Sequence, residues 1–224
     1  YRDIETLQLW LSENEDTLEI QNTHVGQTNI DTNDANDTVT IETTTGALYI
    51  NTDQGEDQIT IDHIGNSTLL DTGSEDDSII VRTTNGQLTV KTQAGDDIVR
   101  VGTEMPSING MADSIGEPII LRGSDLIGGE DGFDRLIVGD AADTETNTGS
   151  MTQDTINGIG LSNNLDAIHG FKAGITYYYL DDVQIYLGSG SDTFDVLSTH
   201  VGSTWVETNS GDDTVYVDTI DGAT

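Results

Sequence analysis

Apolar residues in this chain fall at alternate positions in short runs, and an aspartate introduces each run. Asp16 opens DTLEI, Asp37 DTVTI, Asp57 DQITI, Asp77 DSIIV and Asp97 DIVRV, at steps of 21, 20, 20 and 20 residues. Weaker copies follow: DRLIV at Asp134, then DTFDV at Asp192 and DTVYV at Asp213. Midway through each unit a second alternating pair occurs, as at Thr28 and Ile30, Leu48 and Ile50, Thr68 and Leu70, and Leu88 and Val90. Period-two runs bounded by Gly, Asn, Asp and Thr predict short β-strands joined by turns. Neither strand of such a unit can bury its apolar face alone. The pattern therefore predicts an all-β chain, a parallel β-solenoid with coils of about 20 residues and two strands each.

Stacking brings equivalent residues about 4.8 Å apart along the axis. Leu18, Val39, Ile59, Ile79 and Val99 then form one inward column, with Ile20, Ile41, Ile61, Val81 and Val101 beside it. Thr32, Thr52, Thr72 and Thr92 form a hydroxyl column at a turn, and Arg82 and Lys91 each fall one coil from an anion, Asp62 and Asp71. A longer period is also present. Residues 1–48 align without gaps on residues 177–224 with 18 identities, including Thr23-His24-Val25-Gly26 on Thr199-His200-Val201-Gly202, which gives a unit of 176 residues. The expected organisation is one continuous solenoid: regular coils over 1–102, widened coils with irregular insertions over 103–174, and the next unit from 175 to 224. In the middle section, strands are expected at 118–122, 135–138, 151–156, 175–179 and 183–187, with a short helical turn near 164–169. The expectation is a segment of a longer tandem-repeat protein.

Charge narrows the functional classes. The chain has 41 Asp and Glu against 7 Lys and Arg, a formal charge of −34. Seven scattered cations cannot neutralise a phosphate backbone, so nucleic acid is not an expected partner, and the same sign argues against anionic membrane surfaces. There is no cysteine, hence no disulfide or thiolate metal site. No apolar run reaches the roughly 18 residues of a membrane span, so no membrane insertion is expected in this segment.

The carboxylates concentrate at one turn of each coil. Asp16, Asp37, Asp57, Asp76, Asp77, Asp96, Asp97, Asp131, Asp134, Asp192, Asp212 and Asp213 are the candidate metal ligands. Turns stacked about 5 Å apart place like charges together, which costs on the order of 1 kcal/mol per pair in water and several at lower dielectric. One reading places calcium, which favours carboxylate and carbonyl oxygens, between adjacent turns. The other has each Asp accept hydrogen bonds from the N–H groups of its own turn, with mobile counterions screening the rest.

These turns resemble the nonapeptide of RTX, or haemolysin-type, calcium-binding repeats. GGEDGFDRL at 128–136 is the nearest match and GSGSDTFDV at 188–196 a looser one. The coil departs from that family in its 20-residue length and its single acidic turn, and Asp131 stands where the motif has its third glycine. The stretches 175–188, 188–196 and 208–217 are more similar to repeats of very large acidic surface or matrix proteins of bacteria and algae. That resemblance implies an extracellular or cell-surface fibre or adhesin stalk whose partners are further copies of the same repeat, in a homo- or hetero-filament.

Catalysis is not expected. Asn51-Thr52-Asp53 and Gly95-Asp96-Asp97 echo two strings of polygalacturonase-type β-helix enzymes, but the companion Gly-His-Gly and Arg-Ile-Lys strings are missing and the acidic turns recur in nearly every coil. A polysaccharide-active enzyme is the outlying alternative. His24, His63, His169 and His200 are scattered, and no Ser-His-Asp grouping or phosphate loop occurs. Asn36 and Asn66 head glycosylation sequons at expected turns. The aromatics Trp10, Tyr177, Tyr178, Tyr179, Tyr186 and Trp205 offer either a platform for glycans or, as strand aromatics more often do, packing against insertions or a neighbouring chain. The sequence thus favours a structural rod, whose acidic edge is either stiffened by calcium or screened by solvent. A calcium-dependent adhesin or glycan-binding module is the second choice.

Overall fold

The computed structural model describes residues 4–123, 132–161 and 174–220. It is an all-β solenoid of short strands in two sheets. The chain alternates between the sheets, starting in sheet one: β1 (Thr6–Trp10), β2 (Thr17–Ile20), β3 (Gln27–Asp31), β4 (Thr38–Ile41), β5 (Leu48–Asn51), β6 (Gln58–Ile61), β7 (Thr68–Asp71), β8 (Ser78–Val81), β9 (Leu88–Lys91) and β10 (Ile98–Val101). The middle section supplies β11 (Ile119–Arg122), β12 (Arg135–Gly139), β13 (Thr148–Met151), β14 (Thr155–Gly158) and β15 (Ile175–Tyr178). The last coils carry β16 (Asp182–Tyr186), β17 (Thr193–Val196), β18 (Ser203–Glu207) and β19 (Thr214–Val217).

Register follows the repeat. β4, β6, β8 and β10 pair in parallel with Val39, Ile59, Ile79 and Val99 in line and Ile41, Ile61, Val81 and Val101 in the next column. All eight are buried to within 1%. Sheet one faces them with Ile30, Ile50, Leu70, Val90, Leu121 and Tyr177 in one column. Its neighbour alternates Thr28, Leu48, Thr68 and Leu88. Parallel pairing between coils satisfies the backbone, and burying each Ile or Val contributes roughly 1.5–3 kcal/mol. The two expected ion pairs are present, Arg82 with Asp62 and Lys91 with Asp71, the latter at 3.5 Å.

The middle section departs from the expected single strand at 151–156. Thr152 ends it: its N–H donates to Thr155 O at 2.9 Å, and its hydroxyl lies 2.7 Å from both Asp154 Oδ1 and Thr155 Oγ1, closing a tight turn. Two strands result, β13 and β14, paired antiparallel. They enter sheet one between β15 and β17, whereas sheet two runs β12, β16, β18 without interruption. Among the described residues sheet one thus has 11 strands and sheet two 8. The helical turn expected near 164–169 lies outside the described residues.

Strand order exposes a second property of the 176-residue unit. It spans the described strands β1 to β15, an odd number, so equivalent segments lie in opposite sheets: β1 and β3 are in sheet one, but their counterparts β16 and β18 are in sheet two. In the first unit the acidic turns lead from sheet one to sheet two, along an edge called here edge one. The turns 187–192 and 208–213 lead from sheet two to sheet one, along the opposite edge, edge two.

The acidic turns need left-handed backbone two residues before the strand-opening Asp, and Ala35, Gly55, Glu75 and Gly95 occupy that place with φ of 94°, 142°, 79° and 141°. A Cβ on Gly95 would stand 2.1 Å from Glu75 O. Gly95→Ala is therefore expected to lower the thermal midpoint in calorimetry, whereas Glu75→Gly, which relieves an unfavourable φ, leaves it within a degree or two or raises it. Equal loss from both would contradict this packing.

Candidate functional site

Where strands end at an edge, backbone N–H groups lose their ladder partners. On edge one the strand-opening aspartates supply them. Oδ1 of Asp37, Asp57, Asp77 and Asp97 accepts the N–H of Asp16, Asp37, Asp57 and Asp77 at 2.8, 2.7, 2.9 and 2.8 Å. Asp134 Oδ1 continues the series with Asp97 N–H at 3.3 Å, and Asp181 Oδ2 takes Asp134 N–H at 2.9 Å. Each carboxyl thus reaches back one coil. Asp16 keeps the expected bond within its own turn, its Oδ2 accepting Ser12 N–H at 3.0 Å; for the later aspartates the Oδ1 bond runs between coils, because the turn aims the side chain along the axis.

The residue before Asp37, Asp77 and Asp97 reaches the other way. Asn36 Oδ1 accepts Glu56 N–H at 3.0 Å, Asp76 Oδ1 accepts Asp96 N–H at 2.9 Å, and Asp96 Oδ1 accepts Phe133 N–H at 2.8 Å. The recurrent Asp-Asp pair is thus a two-way staple, its first member tied forward and its second backward. On edge two a shorter ladder repeats the backward bond. Asp192 Oδ1 takes Asn147 N–H at 2.8 Å and Asp213 Oδ1 takes Asp192 N–H at 2.9 Å.

The candidate residues therefore fall into two populations. Asp37, Asp57, Asp77, Asp97, Asp134 and Asp192 are buried to within 3%. Asp76, Asp96 and Asp212 are exposed, Asp16 and Asp213 are half-buried, and Asp131 lies outside the described residues. Among the buried group, the second carboxyl oxygen of Asp37, Asp57, Asp77, Asp97 and Asp192 has no hydrogen-bond partner. Burial favours the neutral form, raising Asp57 to about 6 and Asp77 to about 8, against the partial relief of the bonds they accept from Asp37 N–H and Asp57 N–H. Asp97 shifts upward for the same reason. The sequon residues Asn36 and Asn66 are exposed on turns, and Asn66 Nδ2 donates to Thr45 O at 3.0 Å. His24 and His200 hold equivalent turn positions, Nδ1 lying 3.2 Å from Thr28 Oγ1 and 3.4 Å from Thr204 Oγ1 respectively.

A third acidic group lies outside the repeat motif and is not legible from it. Asp113 comes from the insertion at 102–118, and Asp140 and Asp143 from the turn after β12; their carboxylate oxygens lie within 4.8 Å of one another. Asp140 and Asp143 are buried, and Asp113 is exposed. At an effective dielectric of about 20, like charges at this range repel by about 3 kcal/mol or more per pair. Burial first, and then Asp143, Asp113 and Asp192, push Asp140 up to about 7.

No protein-family model, curated protein or solved structure matches this chain.

The buried ladder sets a pH dependence. The unfolded carboxyls titrate near 3.8 and the folded ones higher, so the native state binds more protons between about pH 4 and about pH 8. Stability is therefore expected to fall as pH rises through that window. Asp77→Asn keeps an oxygen for Asp57 N–H and removes the charge. It is expected to raise the thermal midpoint near pH 8 and leave it unchanged near pH 4. A wild-type midpoint that is flat across the window, measured by circular dichroism, would show that these carboxyls stay ionised.

Proposed function

We propose that the chain is a structural segment of an extracellular, rod-forming repeat protein, and that its function is to hold length and stiffness. The observation that carries this reading is the continuous axial bonding. Every coil step on edge one from Asp16 to Asp181 is tied by a carboxyl, buried in all but the half-buried Asp181, to the N–H of its neighbour, alongside two columns of aliphatic side chains. Such an arrangement resists bending and shear between coils, and it employs the acidic residues that a catalytic reading would need. The partners this reading names are further copies of the repeat, added at the ends of the stack. The exposed apolar residues Leu9 at one end and Val215 and Val217 at the other mark those surfaces. The strong negative charge keeps neighbouring rods apart at their sides.

A second reading, a glycan-binding surface, has one observation in its favour. Trp10 lies with Gln8, Gln27 and Asn29 in a shallow groove on the outer face of sheet one. The counterparts Tyr186, Gln184, Ser203 and Trp205 line a groove on sheet two. Trp10 and Trp205 are 64% and 57% exposed, so both units offer a stacking face beside amide donors.

Small-angle scattering and negative-stain microscopy of the chain, alone and as a tandem of two 176-residue units, test the rod. The expected outcome is an elongated particle whose length doubles in the tandem at constant width. A tandem that folds back into a compact particle would refute it. Glycan-array binding that is lost in Trp10→Ala and Trp205→Ala, with unchanged thermal midpoints, is the outcome expected if the second reading holds.

A further inference from the structure

We propose that Asp113, Asp140 and Asp143 form a calcium site that fastens the insertion at 102–118 to the turn at 140–147. The site lies on edge two, where the plain turns of the first unit give way to the acidic turns of the second. It is distinct from the stacked acidic turns, and its place in the fold does not depend on the rod reading.

Two independent observations converge. The first is geometric: carboxylates from two separate segments lie within 4.8 Å of one another, a span that an ion with bonds of about 2.4 Å bridges. The second is an unsatisfied atom. Asp140 is 1% exposed; its Oδ1 accepts Ala112 N–H at 2.7 Å, while its Oδ2 is buried with no hydrogen-bond partner. A buried carboxylate that keeps one oxygen unpartnered while clustered with two further carboxylates is an arrangement that folding strongly disfavours unless a cation joins them. A divalent ion removes both the repulsion and the vacant valence.

The surroundings are built to hold the ligands in place. Asp143 Oδ1 accepts Glu145 N–H at 2.9 Å, and its Oδ2 accepts Asn147 Nδ2. Asp143 N–H donates to Asp140 O at 2.9 Å, and Ala142 N–H donates to Gly110 O at 3.0 Å, so the insertion and the turn already touch. Gly160 packs against Asp113, where a Cβ would stand 2.0 Å from Oδ1. The donors are all oxygen, which selects a hard cation over zinc or copper. Calcium tolerates the irregular geometry of such a carboxylate cluster better than magnesium, which demands a near-ideal octahedron. Asp113, the exposed member, leaves one side open to water, and water completes a coordination number of six to eight.

The inner ladder does not compete for this assignment. Its carboxyls stand one per coil in a closed interior, and among the described residues it is Asp113, Asp140 and Asp143 that converge.

Calcium chloride titrated calorimetrically into chelator-treated full chain, with thermal unfolding in parallel, tests the site. The expected result is a saturable heat, a rise in thermal midpoint with calcium, and a loss of affinity of at least tenfold in both Asp140→Asn and Asp113→Asn. Asp113 is exposed, so its variant folds whatever happens at Asp140. The double variant Asp76→Asn, Asp96→Asn, on the exposed acidic column, is expected to keep this affinity. The proposal is overturned if wild type gives neither heat nor midpoint shift. It is equally overturned if Asp113→Asn binds like wild type, or if the affinity is lost in the Asp76, Asp96 variant instead.

Discussion

A solenoid is constrained at its corners. Along the strands each N–H finds a carbonyl in the next coil, but at an edge the chain turns and the backbone donors point along the axis without partners. An unsatisfied buried N–H costs about 1–3 kcal/mol, and it would recur with every coil. Aspartate solves this here because its short side chain reaches one coil spacing and places an acceptor oxygen against the N–H of the neighbouring coil. Asparagine offers the same oxygen on the same stem, as Asn36 does in the outer position of one turn.

The solution has its own cost. Each inner carboxyl satisfies one oxygen and buries the other, so the ladder holds protons more tightly than free aspartate does. The threonine column beside it, Thr32, Thr52, Thr72 and Thr92, buried to within 1%, keeps the corner polar enough to tolerate this. Core and corner therefore share one logic. Aliphatic side chains of similar size recur in the regular coils because every coil presents the same volume to the next; the larger Tyr177 joins the column after Leu121, beyond the last regular coil.

The fold was legible because a 20-residue beat leaves few alternatives: strand positions, inward columns, the threonine column and both ion pairs follow from spacing alone. What the spacing could not show was direction. Asp76 and Asp77 read alike in sequence, yet one is exposed and bonds forward while the other is buried and bonds backward, a difference that exists only once the turn conformation is set. The split of 151–156 into two strands hinged on Thr152, Gln153 and Asp154 closing a turn within an alternating run. The cluster at Asp113, Asp140 and Asp143 was hidden more completely, since its members lie 27 and 3 residues apart in sequence, outside the repeat.

Among the described residues the middle of the unit carries two more strands in sheet one than in sheet two. The odd strand count decides where the next such insertion would fall in a chain that repeated the unit. It would lie on the opposite face, so two successive units would present equal lengths of sheet on both faces, and the translational period of such a chain would be two units, not one.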